Sequence, residues 1–152
     1  MNKKDLNHSQ RNPFDALLTK SRDGIVVVDG AGRILFTNPS AAAILGRSED
    51  ELLESQLGLP LVEGEKTEID ILNKREGPRR VEMFATETRW YEEQVLLVIL
   101  HDISSQIEAE EKRKILEKRF STIFEISPDP IILADFPEGA ILDVNPAFLK
   151  IM

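Results

Sequence analysis

The sequence has no cysteine, which rules out disulfides, thiolate metal sites, cysteine nucleophiles and photochemistry through a cysteinyl adduct. Its only histidines are His8 and His101. It contains no nucleotide-binding loop, no metal-ligand cluster and no Ser/His/Asp set, so no catalytic residue, metal or cofactor is expected. Long apolar runs are also missing. The longest, Val95 to Leu100, has the length of a strand and falls far short of a bilayer span. Met1-Asn2-Lys3-Lys4 is basic, but no apolar stretch of the signal-peptide kind follows it. A cytoplasmic chain without direct membrane contact is expected. Basic excess is lacking as well: 19 Lys and Arg stand against 27 Asp and Glu, a net charge of −8, which argues against nucleic acid as a partner. With 152 residues, 41% of them hydrophobic, there is material for one full core.

The chain also repeats itself. Asp23-Gly24-Ile25-Val26-Val27-Val28-Asp29 through Asn38-Pro39 recurs as Asp129-Pro130-Ile131-Ile132-Leu133-Ala134-Asp135 through Asn145-Pro146. The offset is 106 residues at Asp23 and Asp129, and also at Phe14 and Phe120; it is 107 at Asn38 and Asn145. The extra residue falls where both copies carry turn residues, and turns tolerate such changes. A period this long suits tandem globular domains rather than a solenoid. The expected organisation is a tail over residues 1–12, a domain over 13–104, a linker helix over 105–126 and the start of a second, truncated domain over 127–152. That last piece offers two strands and a helix start, too little for a core of its own, and is expected to be disordered, to dock on the first domain or to pair through its strand edges.

Local signals order the first domain. Phe14, Leu17 and Leu18 lie at helical spacing behind Pro13, giving a short helix to about Lys20. Ile25 to Val28 and Arg33 to Thr37 flank Gly30-Ala31-Gly32 and read as a hairpin. Asn38-Pro39 starts a helix that Gly46 ends, and Ser48 with Glu51 forms a capping box for another over about Glu49 to Leu57. Strands follow over Thr67 to Asn73, Arg79 to Thr88 and Gln94 to Ile103, with a turn at Glu76-Gly77-Pro78. The last strand is apolar without alternation, so both its faces should be covered. Trp90 and Tyr91 are expected to cap a hairpin.

These pieces, together with Leu45-Gly46-Arg47-Ser48-Glu49-Asp50-Glu51-Leu52 and the exit His101-Asp102-Ile103-Ser104, resemble the PAS domains of prokaryotic signalling proteins. The resemblance covers Phe14 to about Ser105 and again Phe120 to Met152. It implies an α+β fold, a five-stranded antiparallel sheet with short flanking helices, upstream of an output module such as a histidine kinase. In typical members a longer helical segment walls the pocket. Here Gly58 to Lys66 takes that place and is too short and too broken by Gly58, Pro60 and Gly64 to enclose a large cofactor. Haem would need an axial imidazole on that segment, and neither histidine is placed to supply one.

The resemblance therefore implies a non-catalytic signal-relay and dimerisation module of a sensor. Asp102, Ile103, Ser104 and Ser105 would carry the signal into a linker helix that starts at a Ser105/Glu108 capping box. Phe14, Leu17, Leu18, Ile107, Leu116, Phe120 and Ile123 would form a homodimer interface, with an imperfect coiled-coil spacing that continues backward onto Arg113 and Gln106. The alternative is a small-molecule sensor whose ligand lies between sheet and helices, lined by Ile25, Val27, Phe36, Leu45 and Leu53. A further pattern, His8-Ser9-Gln10-Arg11-Asn12-Pro13, faintly resembles a phosphoacceptor box. It lacks the acidic residue after the histidine and the helical hairpin such a box needs.

Overall fold

The computed structural model describes the backbone from residue 13 and the side chains from residue 16. His8 and the Phe14 side chain lie outside the described residues. The chain divides into two compact units, the first ending at Ser105 and the second starting at Gln106.

In the first unit, helix α1 (Pro13–Lys20) precedes strands β1 (Gly24–Val28) and β2 (Ile34–Thr37), helices α2 (Pro39–Leu45) and α3 (Glu49–Leu52), and strands β3 (Lys66–Asn73), β4 (Gly77–Trp90) and β5 (Glu93–Asp102). The sheet is antiparallel in the order β2-β1-β5-β4-β3. The chain therefore crosses from one sheet edge to the other through α2 and α3, and the core forms beneath them. Val26, Val28, Ile34, Val81, Met83, Ala85, Val98 and Leu100 from the sheet meet Ala41, Ile44 and Leu52 from the helices. In β5, Val95, Val98 and Leu100 are buried and the residues between them half-buried, as its lack of alternation required.

Local chemistry sets the helix ends. The Asn38 side chain accepts from Ala41 N with Pro39 in the first turn, and Gly46 closes α2 at φ 67°. The Ser48/Glu51 capping box forms, and its hydrogen bond from the Ser48 amide holds the Glu51 carboxyl below its usual range. Helix α3 is shorter than its apolar pattern suggests, ending at Leu52 rather than Leu57. The next residues turn to the sheet instead: Glu54 N donates to Ile34 O, Ile34 N to Ser55 O and Leu57 N to Gly32 O. The β3–β4 turn is Lys74-Arg75-Glu76, so Gly77 and Pro78 belong to β4, opposite Asn73 and Leu72.

The β4–β5 hairpin turns on Tyr91 and Glu92, at φ 47° and 69°, a left-handed pair that usually calls for Asn-Gly. Trp90 packs against Phe36 at 5.7 Å between ring centroids and meets Tyr91 edge-on at 5.6 Å. The double variant Tyr91→Asn with Glu92→Gly relieves strain of about 1–2 kcal/mol at each site and gives up an aromatic contact of about 1 kcal/mol. The net expectation is about 1–3 kcal/mol of added stability, read as a higher midpoint in a urea titration.

The second unit carries most of helix α4 (Ser104–Ile126), then β6 (Ile132–Ala134), β7 (Ile141–Val144) and α5 (Pro146–Leu149). Its hairpin repeats the first. Asn145 accepts from Ile131 N and Phe148 N and donates to Asp129 O, as Asn38 does with Ile25 N, Ala41 N and Asp23 O. By the same offset, residues 119–126 of α4 are the counterpart of α1.

Candidate functional site

Three places could carry function: the interior, the outer sheet face and the exit into α4. In the interior a cluster of buried apolar side chains joins the sheet to the helices. Leu57, Leu59 and Leu61, alternating along the short segment after α3, lie against the core together with Leu45, Leu53 and Ile69. On the other side α2 rests directly on β1, so close that a Cβ on Gly24 would stand 2.9 Å from Ala41 Cα. The helix is pinned at both ends by buried amides. Asn73 Nδ2 donates to Ala43 O at 2.7 Å and Ile44 O at 3.2 Å, while its Oδ1 accepts from Arg75 N and Glu76 N.

The five residues expected to line a ligand site do not share one. Val27 pairs with Phe36 on one side and Leu97 on the other, and Ile25 pairs with Ile99. Paired residues share a face, and strand neighbours point to opposite faces. Val26 and Val28 belong to the core beneath the helices, so Ile25, Val27 and Phe36 lie on the opposite, outer face, with Phe84, Leu97, Ile99 and Trp90. Only Leu45 and Leu53 remain on the helix side.

At the exit the chain is clamped to β4. Ile103 N donates to Arg80 O at 2.9 Å, and the Ser104 hydroxyl accepts from Arg80 N at 2.9 Å. Asp102 Oδ1 accepts from Ser104 N at 2.9 Å, and Asp102 Oδ2 faces Arg79 Nη1 at 3.5 Å. Helix α4 therefore begins at Ser104, one residue earlier than the Ser105/Glu108 box suggests, because the Asp102 carboxylate satisfies the first amide and places Ser105 inside the first turn. One position upstream, His101 Nδ1 lies 2.6 Å from Asp23 Oδ1, joining the end of β5 to the start of β1. Sequence reasoning named Asp102, Ile103 and Ser104 but missed Arg79, Arg80 and Asp23. Counting back from the Trp90–Glu93 pair would bring residues 79–81 opposite 102–104, so the signal lay in the hairpin register.

The PAS fold profile matches residues 13–103. This chain belongs to the PAS-fold family. A second PAS domain profile matches residues 118–152, giving one PAS domain and part of another. Among solved structures it is similar to the PAS domain of an HTR-like protein from Haloarcula marismortui, at 25% identity over 59% of this chain and 94% of that one, with a TM-score of 0.52. It is also similar to the PAS domain of Bordetella pertussis BvgS, at 20% identity over 69% and 95% with a TM-score of 0.51. A PAS domain from a two-component sensor histidine kinase matches at 14% identity over 57% and 90%, with a TM-score of 0.50. No curated protein sequence matches the chain.

The helix leaving the PAS domain has its own pattern. Leu116, Phe120, Ile123, Ile115 and Ile126 are exposed along one side of its C-terminal half, while Phe124 is buried. At 100° per residue they span about 140° of the helix surface. Ile107 does not belong with them, because nine residues separate it from Leu116 and place it half a turn round the helix. Toward the N-terminal half the seam meets Arg113, which lies along the helix surface bonded to Glu110 and Glu117. The hydrogen bond from Arg113 holds the Glu110 carboxyl below its usual range and the guanidinium firmly charged. The same face is open in α1, where Leu17 is 68% exposed against 64% for its counterpart Ile123.

Proposed function

We propose that the chain is a non-catalytic relay and dimerisation module of a multidomain sensor, of the two-component histidine kinase kind, acting in the cytoplasm. The observation that carries this reading is the exit. Strand β5 lies between β1 and β4, and its last residue runs into α4 through backbone and side-chain bonds to Arg79, Arg80 and Ser104. A shift of the sheet is passed to the helix by a carboxylate and a hydroxyl rather than by a flexible joint. Asp102, Ile103 and Ser104 are the relay residues, with Ser105 in the first turn that they position.

The packing of Leu57, Leu59 and Leu61 against the core supports relay over ligand capture. The partner is a second copy of this chain, met through Leu116, Phe120 and Ile123 of α4 and Leu17 of α1, and an output domain receives the movement. No helix among the described residues is long and apolar enough to cross a membrane.

Native mass spectrometry of the purified 17.2 kDa chain tests the reading. A species of twice the chain mass with no adduct is expected. A small molecule retained in stoichiometric amount would replace relay by ligand sensing.

A further inference from the structure

We infer that Asn38, with Ser40, is a positioning device that fastens the leading helix α1 to the sheet, so that displacement of α1 reaches β1 and α2 through one side chain. A capping asparagine needs one bond, accepted by its oxygen from the backbone N–H of the third residue of its helix. Asn38 makes four, the full capacity of an amide. Its Oδ1 accepts from Ala41 N and Ile25 N, each at 2.9 Å, and its Nδ2 donates to Leu18 O at 2.9 Å and Asp23 O at 3.0 Å. The side chain is 1% exposed, so these bonds are made away from competing water. Two positions on, Ser40 Oγ donates to Ser21 O at 2.5 Å. The chain leaving α1 is thus held by two side chains of the α2 N-terminus, while Leu17 points outward.

The second hairpin separates the two jobs. Asn145 repeats the bonds to the strand, the helix and the turn, which are what capping and hairpin closure require. The position of Ser40 is Ala147 there, with no hydroxyl to give. The bonds from Asn38 and Ser40 to the end of α1 are therefore additions to a shared scaffold.

This role rests on the relay reading for its purpose, but the attachment is measured without any signalling partner, so the two fail separately. Asn38→Asp is nearly isosteric. One carboxylate oxygen still accepts from Ile25 N and Ala41 N, while the other faces the carbonyls of Leu18 and Asp23 without a proton to offer. Ser40→Ala removes only the bond to Ser21. Hydrogen exchange of the full chain should show about tenfold faster exchange over residues 16–22 in Asn38→Asp and a smaller rise in Ser40→Ala, with residues 24–28 and 95–100 within about twofold of the parent. Unchanged exchange over 16–22 in a folded Asn38→Asp protein, or equal loss across both regions, would overturn the proposal. Were Asn38→Asp unable to fold, a flat Ser40→Ala profile would do the same.

Discussion

Gly24→Val is expected to unfold the PAS domain or leave it barely stable. A Cβ at this position would stand 2.9 Å from Ala41 Cα, 3.1 Å from Leu100 Cβ and 3.2 Å from Ala41 Cβ. The nearest atom is backbone, so no rotamer change relieves the contact, and valine adds two methyl groups to it. Either the strand distorts, where it pairs with Leu100, or α2 lifts away. Overpacking of this kind costs about 1–3 kcal/mol by itself. Lifting α2 also strains the Asn38 cap at one end and the two Asn73 bonds at the other, each worth about 1 kcal/mol. The total, about 4–6 kcal/mol, rivals the whole stability of a small domain, which begins at about 5 kcal/mol. Thermal unfolding followed by circular dichroism should show the transition shifted far down or lost. Gly30→Ala is the control, since nothing lies within 4 Å of a Cβ there and the parent transition should persist.

Features legible in the sequence were those written in neighbouring residues. The Asn38-Pro39 start and Gly46 stop of α2, the Ser48/Glu51 box and the Pro13 helix each depend on bonds spanning a few positions, and all appear where the residues put them. The repeat was legible because two hairpins built around Asn38 and Asn145 must preserve the same bonds. What escaped depends on partners distant in sequence. Helix α3 stops early because β2 offers Ile34 O and Ile34 N to the following residues. The split of Ile25, Val27 and Phe36 from Leu45 and Leu53 follows from sheet faces, which apolar composition does not specify when both faces are covered. The exit clamp escaped because Arg79 and Arg80 sit across a hairpin from Asp102 and Ser104.

The relay reading depends on what the apolar side of α4 meets, and the chain's lack of cysteine makes that directly measurable. In a parallel pair each seam residue faces its own copy, close enough for a disulfide, whose Cα atoms stand about 4–7 Å apart. Leu116 and Ile123 lie on the exposed seam, whereas Lys114 lies nearly opposite Leu116 on the helix. Arg113, by contrast, is committed to Glu110 and Glu117. Above it, toward the start of α4, pairing should weaken. Single variants Leu116→Cys, Ile123→Cys and Lys114→Cys of the full chain, oxidised under one condition and resolved on a non-reducing gel, give the decisive pattern. Rapid, near-complete covalent dimer at positions 116 and 123 with little at 114 is the expected result. Equal cross-linking at all three positions, or none at 116 and 123, would contradict a paired α4 and with it the relay through two copies.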